Sequence, residues 1–133
     1  MNGLYLNAQH YEQMLVDVTS RAPEEACGLL AGKDNRVTLV ISVTNELHSA
    51  IRFRMDPVEQ LKAFQMIEDR GIDMLGIYHS HPNGPLMPSQ TDIAEAYYPD
   101  VVHLIWSRSS DNWICKGFRI IEGDVSEVLL TIN

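Results

Sequence analysis

Met74-Leu75-Gly76-Ile77-Tyr78-His79-Ser80-His81, continued by Pro82-Asn83-Gly84-Pro85-Leu86-Met87-Pro88-Ser89-Gln90-Thr91-Asp92, is the stretch from which the rest of the chain is read. Met74 to Tyr78 is an apolar run of strand length that leads into two histidines two residues apart. In an extended chain residues i and i+2 point to one side, so His79 and His81 share a face. Pro82 to Pro88 concentrates proline and glycine and predicts an irregular loop. Ser89 then opens a predicted third helix over Ser89 to Tyr97, with Asp92 in its first turn.

Two imidazoles on one side of a strand can share a zinc ion at ~2.0–2.1 Å each, and a carboxylate from the next element would complete three protein ligands and leave a fourth position for water. Asp92 is the nearest carboxylate able to do so. A duller reading stands beside this one. A histidine pair after a strand is often only polar surface, and Ser89-x-x-Asp92 is also the pattern of a plain helix start. The two readings are compatible, since a cap can fix the helix while its carboxylate faces an ion.

Working outward, apolar residues at Tyr11, Met14, Leu15 and Val18 fit one face of a helix over about residues 8–20, which Pro23 ends. Cys27 to Gly32 and Arg36 to Thr44 read as strands joined by Lys33-Asp34-Asn35. Phe53 to Met55 reads as a short strand. Asp56-Pro57 reads as the N-cap and first turn of a second helix ending near Gly71. Val101 to Trp106, Trp113 to Ile121 and Val125 to Ile132 complete the strands, with turns at 109–112 and 122–124. Strands interleaved with helices predict an α/β or α+β domain, a mixed sheet flanked by helices, spanning residues 1–133 as one unit.

Composition narrows the function. Ten Lys and Arg against eighteen Asp and Glu give a net charge of −8, which repels phosphate backbones and anionic membrane surfaces. Nucleic acid and membrane are therefore not expected as partners. The start of the chain lacks the basic and apolar runs of a signal peptide, and no apolar stretch approaches the ~20 residues of a membrane span, so a cytoplasmic location is expected. Cys27 and Cys115 form no CxxC pair and read as small buried hydrophobes. His10, His48 and His103 have no ligand partners at close spacing and read as structural or exposed, and Tyr97, Tyr98, Trp106 and Trp113 read as packing residues.

The run H-S-H-P-(x)6-S-x-x-D, with the upstream Pro23-Glu24-Glu25-Ala26-Cys27-Gly28-Leu29-Leu30-Ala31-Gly32, resembles the JAMM motif of the MPN-domain metalloproteases, including their small bacterial and archaeal branch. Five functional positions agree in order and spacing. The resemblance implies a zinc peptidase of the MPN fold in which His79, His81 and Asp92 hold the metal. It makes Glu25 the general base and Ser89 a donor to the tetrahedral intermediate. Glu24 rivals Glu25 by adjacency, but the family's spacing to the following glycine selects Glu25-Ala26-Cys27-Gly28. The implied substrate is a ubiquitin-like or sulfur-carrier protein, cut after its carboxyl-terminal glycines. Phe53-Arg54-Met55-Asp56-Pro57 looks like a stretch carried by the short members that release cysteine from a sulfur carrier. A non-catalytic MPN scaffold is the alternative of a different class.

Overall fold

The computed structural model describes residues 3–133. Ten elements follow in order: β1 (Gly3–Leu6), α1 (Ala8–Arg21), β2 (Cys27–Lys33), β3 (Arg36–Val43), α2 (Pro57–Asp69), β4 (Asp73–His81), α3 (Gln90–Ala94), β5 (Val102–Ser109), β6 (Asn112–Ile121) and β7 (Asp124–Ile132). The local chemistry explains most of them. Asn7 caps α1 by accepting from the His10 N–H at 2.8 Å, and Asp56 caps α2 by accepting from the Val58 and Glu59 N–H groups at 3.0 Å each. Two hairpins turn on consecutive residues with positive φ, Asp34 (53°) and Asn35 (63°) between β2 and β3, and Glu122 (51°) and Gly123 (86°) between β6 and β7. Paired positive φ is the geometry whose twist matches that of the flanking strands.

The sheet is mixed, as expected, and it closes on itself in the order β1-β3-β2-β4-β5-β6-β7. Closure depends on β1, which the sequence reading passes over; it pairs parallel with β3 and with β7 and so, among the described residues, leaves no free edge. Two other expectations need correction. Phe53 to Met55 is no strand, and only a single bridge joins Asn45 to Met55. The third helix stops at Ala94 rather than Tyr97, because Glu95 leaves helical geometry and Pro99 lies just beyond.

Strand alternation divides the core in two. One cluster joins Met14 and Val18 of α1 to Leu30, Tyr78, Leu104 and Trp106, and the other joins Ala63 and Ile67 of α2 to Cys27, Leu29, Ala31 and Val43. Each fully buried apolar side chain contributes about 1.5–3 kcal/mol. At Gly28 the backbone of β2 passes directly over the Tyr78 ring: a Cβ there would lie 2.2 Å from Tyr78 Cε2 and 2.4 Å from the Ile41 carbonyl oxygen. Only glycine lets β2 and β4 approach this closely.

Candidate active site

β4 lies between β2 and β5, with His79 in register with Cys27 on one side and Ile105 on the other. The alternation of β4 sends Tyr78 and Ser80 one way and His79 and His81 the other. Just past the end of the β2–β4 ladder the chain is clamped in both directions: the Ser80 N–H donates to the Ala26 carbonyl at 3.0 Å, and the Ala26 N–H donates to Ser80 Oγ at 2.8 Å. Glu25, the next residue back, is thereby held beside the two imidazoles.

His79 Nε2, His81 Nε2 and Asp92 Oδ2 form a triangle with every edge 3.1 Å. Each corner is oriented from outside. His81 Nδ1 lies 2.8 Å from the Pro85 carbonyl, which can only accept, so Nδ1 carries a proton and Nε2 is the ring nitrogen turned to the triangle. Asp92 sits in a capping box: its N–H donates to Ser89 Oγ at 3.0 Å, and its own Oδ2 accepts from the Ser89 N–H at 2.8 Å. The helix start and the inward carboxylate are thus one arrangement. His79 stacks against Phe53, with centroids 4.6 Å apart and planes at 26°.

Glu25 is 3% exposed, and its carboxylate falls within 4.8 Å of both imidazoles. At that looser spacing Glu25 and the two histidines also form a group of possible ligands. The 3.1 Å edges favour Asp92 as the third donor and place Glu25 outside the triangle. Burial pushes the Glu25 carboxyl up to about 8, a rise that His81 opposes and Asp92 reinforces. Burial would also raise Asp92, but hydrogen bonds from His79 and His81 outweigh it and hold that carboxyl well below the usual range. Burial lowers His79, whereas at His81 the hydrogen bonds to Asp92 and the Pro85 carbonyl overcome burial and raise it.

The donor set suits a divalent cation. A tetrahedral ion with bonds of ~2.0–2.1 Å spaces its ligands about 3.3 Å apart, close to the edges found here. Held by hydrogen bonds alone, these edges need a proton on a facing ring nitrogen; a divalent cation would take the place of such protons.

The structure gathers His79, His81, Asp92 and Glu25, with Ser89 bonded to Asp92 through both its N–H and its hydroxyl. Glu24 turns away to the exposed His48, 3.0 Å from its Nδ1. Cys27 is buried with its Sγ 3.4 Å from the Val43 carbonyl, its thiol pushed up to about 12 chiefly by burial. Three residues near the site escape the sequence reading. Buried Asn45 donates through Nδ2 to the carbonyls of Glu25 (3.1 Å) and Arg52 (3.0 Å) and accepts at Oδ1 from the N–H groups of Leu47 and Arg54 (3.1 Å each). It thereby ties Glu25 to the loop that carries Phe53. Phe53 and His103 are the other two, and only the Phe-Arg-Met-Asp-Pro run offered a sign of the first.

Residues 7–119 match the family described as prokaryotic homologs of the JAB domain. The chain is 35% identical over 127 residues to a desampylase of Pyrococcus furiosus, covering 94% of this chain and 88% of the relative. It is 34% identical over 127 residues to the CysO-cysteine peptidase of Mycobacterium tuberculosis, covering 93% and 87%. The solution structure of a protein from Desulfitobacterium hafniense superposes with a TM-score of 0.87 at 36% identity, covering 98% of this chain and 92% of that one.

Proposed function

The chain belongs to the family of prokaryotic homologs of the JAB domain, and from that membership we propose that it is a zinc metallopeptidase cutting the amide bond after the terminal glycines of a ubiquitin-like or sulfur-carrier protein. The observation that carries this reading is the 3.1 Å triangle of His79, His81 and Asp92 with the buried carboxylate of Glu25 beside it.

His79, His81 and Asp92 would hold the metal. Bound zinc supplies a Lewis acid that lowers the pKa of water and polarises a carbonyl. Glu25 takes a proton from the attacking water as the new C–O bond forms and keeps it on its carboxylate. It then gives that proton to the amide nitrogen as the C–N bond breaks, so the products are a glycine carboxylate and a free amine. The buried setting that raises Glu25 suits a group that must accept and then return a proton. Ser89 fixes Asp92 through its N–H, and its hydroxyl proton is available to the developing oxyanion.

Two glycines before the cut let a tail backbone approach the triangle past the Pro82 to Pro88 loop, because neither carries a Cβ. The CysO-cysteine peptidase is named for a bond between a protein and a cysteine, which supports release of cysteine from a sulfur-carrier adduct as the specific alternative. The scaffold alternative loses ground, since this chain keeps a complete donor set. Among the described residues no helix is long and apolar enough to cross a membrane, and the reading includes a cytoplasmic location and one domain over residues 1–133.

Elemental analysis for one zinc per chain, paired with cleavage of a ubiquitin-like or sulfur-carrier protein bearing a short extension after Gly-Gly, tests the proposal. Substituting Ala or Val at either glycine is expected to slow cleavage sharply. Equal cutting of all versions would make this a general metallopeptidase instead.

A further inference from the structure

Glu25 and Ala26 are neighbours in the chain, yet different parts of the fold hold them. The N–H and the carbonyl of Ala26 are both taken by Ser80 of β4. One residue earlier the strand's hold ends. The Glu25 N–H donates to the Ser49 carbonyl at 2.8 Å, and the Glu25 carbonyl accepts from Asn45 Nδ2 at 3.1 Å. Both polar groups of the Glu25 main chain are therefore fixed by the loop between β3 and α2, and not by the strand that carries the histidines.

That loop is closed at its neck, where the Asp56 N–H meets the Thr44 carbonyl and the Glu46 N–H meets the Arg54 carbonyl, at 2.9 Å each. Inside the neck sits the Asn45 side chain, 1% exposed. Its Oδ1 accepts from the Leu47 and Arg54 N–H groups at 3.1 Å each, while its Nδ2 serves the Arg52 carbonyl at 3.0 Å as well as Glu25 and lies 3.5 Å from the Ser49 carbonyl. Arg52 and Arg54 flank Phe53, whose ring stacks on His79. One buried amide thus fixes Glu25 on one side of the triangle and the Phe53 ring on the other, a task that needs donors and an acceptor on a single short side chain.

We propose that Asn45 is a positioning residue for the reaction, setting the reach of the Glu25 carboxylate to the triangle; the inference rests on the reading of Glu25 as general base. His79, His81 and Asp92 take their places from β4, the Pro85 carbonyl and the Ser89 capping box. Holding the metal and moving the proton are then supported separately, and loss of Asn45 displaces the base while the ligands stay.

The test compares wild type, Asn45→Ala, Glu25→Gln and the double variant on a sulfur-carrier protein bearing a short extension after Gly-Gly, with zinc measured on the same samples. Asn45→Ala is expected to keep the wild-type zinc content and to lose about a hundredfold in kcat, the cost of a misplaced catalytic group. In the Glu25→Gln background no base is left to place, so the same change should cost less than about threefold. Amide hydrogen exchange on the metal-free proteins gives a readout apart from turnover. In Asn45→Ala the Glu25, Leu47 and Arg54 amides should lose protection, while those of Ala26 and Ser80 keep it. Should the alanine variant not fold, Asn45→Asp repeats the comparison; it keeps the acceptor toward Leu47 and Arg54 but offers the Glu25 carbonyl no amide hydrogen, so the loss in kcat and the exposure of the Glu25 amide should remain. Wild-type turnover in the Asn45 variant, loss of its zinc, an equal loss in both backgrounds, or exchange that rises equally at Ala26 and Ser80 would each overturn the inference and leave Asn45 a residue of general stability. Wild-type rates in Glu25→Gln would overturn the general-base reading beneath it, and wild-type protein that cuts no Gly-Gly carrier would overturn the proposed function itself.

Discussion

On one face of β4 the polar atoms of Tyr78 and Ser80 are matched: the Tyr78 hydroxyl donates to Asp17 Oδ2 at 2.6 Å, and Ser80 Oγ accepts from the Ala26 N–H at 2.8 Å. On the other face His79 and His81 aim two ring nitrogens at one carboxylate oxygen, His79 Nδ1 has no partner among the described residues, and neither has His103 Nε2 nearby. The strand is one and the burial is similar, so neither propensity nor depth explains the difference. The matched face anchors the strand; the other face holds a donor set compatible with a metal ion. Buried polar groups left open cost more than paired ones return, so an open cluster signals a ligand better than any ion pair does.

The comparison breaks most severely if the triangle is opened. His79→Ala, His81→Ala and Asp92→Ala should each lower zinc content toward zero by elemental analysis and reduce cleavage by at least about a thousandfold, since two protein ligands hold such an ion far less tightly than three. Full zinc occupancy at sub-stoichiometric metal in any one of them would remove that residue from the ligand set.

Glu25→Gln sharpens the contrast between holding a metal and using it. Zinc content should stay at the wild-type level while turnover falls by about 10²–10⁴-fold, the usual range for a general base. Wild-type rates would return attention to Glu24. The same variant has a signature without metal. Because the folded Glu25 carboxyl is raised from 4.5 to about 8, its protonated form favours the fold. That contribution is complete below about pH 4.5 and is lost as pH rises through about 8. Glutamine remains neutral, so the metal-free variant should gain in melting temperature over metal-free wild type as pH rises from about 5 to about 9, with the two alike at the acid end.

Ser89→Ala should cost about 1 kcal/mol of stability through the lost cap. It should also reduce turnover by about a hundredfold if the hydroxyl serves the oxyanion. A stability loss with unchanged turnover would leave Ser89 as a cap and a support for Asp92.

Much of this was legible in the sequence for a physical reason: the strong signals are local. Period-two spacing puts His79 and His81 on one face, and Ser89-x-x-Asp92 is a capping box within four residues. What escaped acts across long separations. β1 is four residues long and gains its place only by pairing parallel with strands far along the chain, so nothing near it announces closure. Phe53 to Met55 has strand-like composition but makes only the bridge to Asn45, whose side chain takes the Arg52 carbonyl and the Arg54 N–H. Adjacency could not separate Glu24 from Glu25; family spacing favoured Glu25, and the clamp between Ala26 and Ser80, 54 residues apart, places it at the cluster. His103 reads as a strand histidine because its isolation is invisible until β5 lies beside β4.

The smallest effect should come from the matched face. Tyr78→Phe removes only a hydroxyl, and Asp17 keeps the Arg21 Nε–H at 2.8 Å and the Ser42 hydroxyl at 3.1 Å, so its carboxylate is not stranded. The cost expected in denaturant unfolding is about 1–2 kcal/mol, that of a hydrogen bond to a charged group with partial compensation. The ring still fills the slot under Gly28, and the backbone bonds that set the register of His79 with Cys27 and Ile105 are untouched. Zinc content should therefore match wild type and cleavage should stay within about twofold. A much larger loss of turnover at full zinc occupancy would mean that the Asp17–Tyr78 bond tunes the catalytic face through the strand, and that the two sides of β4 are not independent.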